Sequence, residues 1–201
     1  MKVLLCTPYN AMPNGEIGGV AIWGRHIMDA YQKEPITGLK IDLYTMDHPH
    51  KAQLCKNKLQ QLYIKYRSYR SHYKAIKKKL DTTDYDVLHL CTSASFGLIK
   101  DDWIIDYAHR KDVKVVLHFH YGRIPQTLQI NNWESKLLKK VCMKVDMLIP
   151  IDKSSYHALV NYGFKKVYNL PNPLGYEVAK IIESYSNVNK QNREVLYVGH
   201  V

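Results

Sequence analysis

Short aliphatic and β-branched runs alternate along this chain with longer stretches in which apolar positions recur every three or four residues. The runs at 2–6, 40–45, 87–91, 113–118, 147–151 and 166–170 have the length and composition of buried strands. The stretches at 20–32, 53–80, 98–111, 132–144 and 153–162 carry apolar positions at helical spacing. Strands that are apolar on both sides, each followed by a helix able to return the chain, predict a parallel sheet with helices on both faces. The expected fold class is α/β, a Rossmann-like domain over residues 1–185.

Residues 186–192, Ser186-Asn187-Val188-Asn189-Lys190-Gln191-Asn192, have the composition of a linker. The run that follows, 193–201, is apolar and reaches Gly199, so it reads as the first strand of a second domain with its covering helix still to come. On this reading the chain is the front part of a two-domain protein.

Composition narrows the class without naming it. Hydrophobic residues make up 46% of the 201 positions and charged residues 23%, the balance of a folded domain rather than a disordered tail. Cys6, Cys55, Cys91 and Cys142 lie far apart with no C-x-x-C pair, which argues against a zinc knuckle or a redox dithiol and for small buried hydrophobes in a reducing compartment. The apolar start at 3–6 is too short for a secretory signal, and no stretch reaches the ~18 apolar residues of a spanning helix. A cytoplasmic protein is expected.

A net charge of +11 calls for an anionic partner. Much of it lies in 51–80, where ten lysines and arginines meet no acidic residue. Cys55, Leu59, Leu62, Tyr66, Tyr69, Tyr73, Ile76 and Leu80 recur there at alternating spacings of four and three, one apolar seam on a basic helix. That seam can pack on the sheet and leave the charges solvated. It can also set the helix against anionic headgroups, placing the protein at the inner face of the membrane. Basic residues interleaved with tyrosine suit nucleic acid as well, but no nucleic-acid partner is expected.

In open parallel sheets ligands sit beyond the carboxyl ends of the strands, which directs attention to the loops after 6, 45, 91, 118 and 151. The first loop ends Gly15-Glu16-Ile17-Gly18-Gly19 at a helix start, where backbone N–H groups and the helix dipole favour a phosphate. It matches neither the dinucleotide fingerprint nor the P-loop. Asp47 follows the second strand at the place of a ribose-binding carboxylate, but the glycine fingerprint that would accompany it is missing. The fourth strand ends His118-Phe119-His120, two histidines on one face of an extended segment. That geometry suits a metal, yet the only Cys, Asp or Glu within ten residues is Asp112. One of the pair can be a hydrogen-bonded core histidine and the other can line the cleft, with His89 structural.

The order of these segments resembles the N-terminal half of family 4 glycosyltransferases. The resemblance is carried by Gly18-Gly19-Val20 opening the first helix, by Tyr85-Asp86-Val87-Leu88-His89 and by 115–122 around the fourth strand. Asp146-Met147-Leu148-Ile149-Pro150, Leu170-Pro171-Asn172-Pro173 and Leu196-Tyr197-Val198-Gly199 complete it. It implies the two-domain GT-B fold, with a nucleotide-sugar donor held mainly by the second domain and a saccharide or lipid-linked acceptor held by the first. It also implies that Gly18 and Gly19 lie against the donor diphosphate, that His120 is the catalytic residue at the sugar end of the cleft, and that transfer retains anomeric configuration without a cofactor or a metal. Loop position adds Asn14, Ser93, Ser95 and Arg123 as acceptor contacts. The groups that grip the donor would lie beyond residue 201, so this chain alone is not expected to transfer sugar. Two alternatives stay open: a nucleotide-sugar epimerase of the same fold, and a non-enzymatic basic module that binds membrane or nucleic acid.

Overall fold

A computed structural model of the chain describes residues 1–11, 17–47 and 57–184. The expected linker at 186–192 and the final strand at 193–201 lie outside the described residues, as does Asn14. The elements run β1 (Lys2–Thr7), α1 (Gly19–Lys33), β2 (Lys40–Thr45), α2 (Lys58–Thr82), β3 (Val87–Thr92) and α3 (Gly97–His109). They continue with β4 (Lys114–Phe119), α4 (Ile124–Gln129), α5 (Trp133–Lys144), β5 (Met147–Pro150), α6 (Lys153–Tyr162) and α7 (Tyr176–Ser184).

All the strand pairs are parallel and the order is β2-β1-β3-β4-β5, so the fold is the α/β, Rossmann-like sheet that the alternation predicts. Alternation within each strand sorts side chains between two layers. Leu4, Cys6, Leu88, Leu90, Leu117 and Phe119 join Ile76 and Leu80 of α2, Leu98 and Ile105 of α3 and Leu138 of α5 in the larger core. On the opposite face Leu5 and Cys91 meet Trp23 and Met28 of α1 in a smaller one. The first crossover moves outward from β1 and the later ones move the other way, which places α1 and α2 on opposite faces under the right-handed rule. The strand order reverses between β1 and β3, the switch point at which such sheets open a crevice.

Two expectations need correction. Residues 166–170 run beside β5 but form only a bridge, Val167 to Leu148, with Tyr168 N–H donating to the Leu148 carbonyl at 2.9 Å. Lys166 takes a left-handed φ of 56°, and Pro171 and Pro173 follow, so a continuous strand cannot propagate there. The apolar seam of the basic helix is buried only toward its end. Ile76 and Leu80 are 1% and 5% exposed, whereas Leu59, Leu62 and Tyr66 are 76%, 53% and 48% exposed. Length explains this: 25 helical residues span about 38 Å, against about 20 Å for a strand of 6 residues. Running antiparallel to the strands, α2 overhangs the sheet with its N-terminal half at the carboxyl edge. Cys55 and Lys51, the start of the predicted seam and charge run, lie outside the described residues.

Candidate functional site

At the switch point a cavity of about 100 Å³ opens over the carboxyl ends of β1, β2 and β3. Pro8 lines it from the β1–α1 connection, Val20 from the first turn of α1, Ser68, Tyr69 and His72 from α2, Ser93 from the β3–α3 turn, and Gly97 and Lys100 from the start of α3. Each wall has a local cause. Gly24 lets α1 approach β1, since a Cβ there would come within 2.8 Å of the Thr7 methyl and 3.2 Å of the Pro8 carbonyl oxygen. Asp47 ties the loops after β1 and β2 together, accepting from the backbone N–H groups of Tyr9 and Asn10 at 3.0 and 3.2 Å and from the Asn10 side-chain amide at 2.5 Å. That carboxylate is engaged by three N–H donors of the loop after β1. His72 anchors the overhanging helix, pairing through Nδ1 with the Tyr44 hydroxyl at 3.0 Å and through Nε2 with the Asp47 carbonyl at 3.2 Å.

The floor rests on a buried ion pair. Asp101 is fully buried and accepts from the Lys100 ammonium and from the Thr92 hydroxyl, the latter at 2.6 Å. Thr92 Oγ1 in turn accepts from the Ala94 N–H at 3.1 Å. This chain of bonds holds Ala94 and Ser95 at φ values of 58° and 53°, a left-handed conformation that costs non-glycine residues about 1–3 kcal/mol each. Strain of this kind persists only where surrounding contacts impose it.

Beside the cavity the α1 face of β3 and β4 carries an imidazole column. His118 is fully buried, with its Nδ1 3.2 Å from His89 Nε2. Its ring centroid lies 4.5 Å from that of His120 and 4.7 Å from Trp23, the indole standing edge-on. Burial and the neighbouring rings push His118 down to about 2, burial holds His120 at about 4, and burial with His120 nearby holds His89 at about 4. All three are neutral imidazoles at physiological pH. Nε2 of both His118 and His120, and Nε1 of Trp23, are buried without a hydrogen-bond partner among the described residues. His118 is thus the core member of the pair, whereas half-buried His120 sits at the strand edge with its backbone N–H donating to the Thr92 carbonyl at 2.8 Å.

The remaining expected site residues divide. Gly18 is the N-cap of α1 with no side-chain cap, both Gly18 and Gly19 are exposed, and a Cβ on either would meet none of the described residues within 4 Å. Ser93 lines the cavity and is exposed. Ser95 belongs to the strained turn beyond it. Arg123 is not among the cavity-lining residues; it occupies the N-cap position of α4 with no side-chain cap bond, and its guanidinium lies 5.3 Å from the Tyr121 ring centroid. Lys100, Asp101, Cys91 and Trp23 were not legible as site residues, because their importance comes from strand register and helix docking rather than from local spacing. No protein-family model matches the chain, and no curated protein matches it.

Proposed function

We propose that this chain is the acceptor-binding domain of a retaining glycosyltransferase of the GT-B type, moving a sugar from a nucleotide-sugar to a saccharide or lipid-linked acceptor in the assembly of a cell-surface polysaccharide or related glycoconjugate. The observation that carries the reading is the cavity at the β1–β3 switch point, set between the exposed glycine start of α1 and the strand edge that bears His120. In this reading Ser93 and Lys100 face the acceptor. Gly18 and Gly19 lie toward the donor diphosphate, and His120 lies at the transferred sugar. Most donor contacts fall on a second domain. Calorimetry of the 201-residue chain should therefore show only weak binding of UDP- and GDP-sugars and no transfer. Micromolar affinity for a nucleotide-sugar would place the donor site on this domain and overturn the assignment.

The overhang of α2 supports a lipid-linked acceptor. Leu59, Leu62, Tyr63 and Tyr66 are exposed there, flanked by the exposed cations Lys58, Lys65, Arg67 and Lys74. An apolar stripe rimmed by cations suits the headgroup region of an anionic bilayer, where each basic residue contributes about 1 kcal/mol. No helix among the described residues is long and apolar enough to cross a membrane. The chain should sediment with vesicles containing phosphatidylglycerol and release as salt rises, and Gln at 58, 65, 67 and 74 should weaken binding by more than tenfold. Equal binding to neutral vesicles, or no loss in the quadruple variant, would leave α2 a purely structural helix.

A further inference from the structure

The histidine column adjoins a second donor type, a thiol, that its sequence spacing hides. In the parallel register of β3 and β4, Cys91 stands directly opposite His118, and His89 precedes Cys91 by two residues on the same face. One ligand atom from each of His89, Cys91 and His118 lies within 4.8 Å of the other two. We propose that these three side chains form a binding site for a thiophilic d10 cation, zinc(II) or copper(I), between the sheet and Trp23.

Geometry and donor chemistry both favour this. Donors at 2.0–2.3 Å around one ion stand about 3.3–4.0 Å from each other in tetrahedral or trigonal arrangements. The facing nitrogens of His89 and His118 are already 3.2 Å apart, so closing the ring requires side-chain rotations rather than strand movement. A thiol with two neutral imidazoles is the donor set of soft and borderline ions and is poorly suited to magnesium or calcium, which take oxygen ligands.

The site is enclosed, since His118 is fully buried and Cys91 is 3% exposed. Trp23 stands edge-on to His118 at 4.7 Å and is 3% exposed, so it closes the pocket from solvent on the α1 side. Coordination forms a bond from the ion to Cys91 Sγ and to one ring nitrogen of each histidine. The thiol proton leaves to solvent, both imidazoles stay neutral, and no redox partner is needed. A bound ion would pin β3 to β4 immediately behind His120. The site does not depend on the glycosyltransferase reading and can be present or absent whatever the chain transfers.

The test uses the reduced chain under anaerobic conditions. Titration with cobalt(II), the spectroscopic stand-in for zinc, should give a 1:1 thiolate-to-metal charge-transfer band with release of about one proton per ion. Copper(I) delivered from a chromogenic chelator should transfer with the same stoichiometry if the site selects the softer ion. Either ion binding in this way supports the proposal. Cys91→Ala should abolish the signal, whereas Cys142→Ser, which alters a buried cysteine of the opposite core, should keep it. Should Cys91→Ala fail to fold, His89→Gln replaces it and should weaken binding by at least tenfold. Absence of stoichiometric binding of both ions by the wild-type chain, or a band that survives loss of Cys91, would overturn the site.

Discussion

Replacing Asp101 by alanine is expected to cost about 3–5 kcal/mol of folding stability, because it leaves the Lys100 ammonium in a buried place with its counter-charge removed. The Thr92 hydroxyl loses its acceptor in the same step. The turn at Ala94 and Ser95 then loses the anchor that holds its left-handed conformation, so the cavity floor should loosen together with the core. The exposed Lys33–Glu177 pair supplies the contrast. Its N–O distance is 2.8 Å, yet Glu177→Ala should leave stability nearly unchanged, since water solvates either ion once the partner is gone. Urea unfolding of the two variants measures the difference. The double variant Lys100→Met, Asp101→Ala should recover much of the loss, because removing both charges leaves no uncompensated ion. If the double variant is as unstable as Asp101→Ala alone, the ion pair is not what sustains this turn.

The layered fold was legible because a parallel sheet buried on both faces writes itself as apolar runs, and a helix that covers it writes itself as periodicity. Each predicted strand from 2–6 to 147–151 lies within a residue or so of its element. What failed were features decided by neighbours. The seam of the basic helix has perfect spacing, but spacing cannot reveal that the sheet ends before the helix does, leaving Leu59 and Leu62 without cover. The short helix α4 begins beside Pro125 and has 6 residues, too few for a periodic pattern to emerge.

The candidate site divides in the same way. Gly18, Gly19 and His120 could be placed from sequence because strand ends and helix starts carry local signals. The pairing of Cys91 with His118 depends on which residue of β4 faces which residue of β3, and a shift of one position would turn the cysteine to the other core. Lys100-Asp101-Asp102 illustrates the limit further. The three residues look like an ordinary charged stretch of helix, yet they divide between two separate ion-pair sites in the fold. Lys100 and Asp101 form the buried pair under the cavity, while Asp102 accepts from Lys140 and Lys144 of α5 at 2.7 and 2.6 Å.

On the proposed glycosyltransferase reading, removing the His120 side chain should lower turnover by about 10²-fold, the scale of one lost transition-state hydrogen bond. The imidazole is neutral and stands just past the end of β4, and because Nε2 is buried, Nδ1 is the nitrogen that would hydrogen-bond a hydroxyl of the transferred sugar. As positive charge develops on the sugar ring during departure of the nucleotide, that bond strengthens, which places the effect in kcat rather than in KM. Folding should suffer much less. His120 Nε2 has no partner to lose among the described residues, and the ring is half-buried against Trp23 at 5.2 Å, so the melting temperature should fall by only a few degrees. Gly19→Val is the complementary variant. A Cβ at that position meets none of the described residues within 4 Å, so a β-branched side chain should leave stability nearly intact while, on the proposed reading, obstructing the approach of a donor diphosphate and raising its KM. Near-normal turnover in His120→Ala, or activity lost only in step with stability, would return this residue to the buried histidine column and remove it from the chemistry.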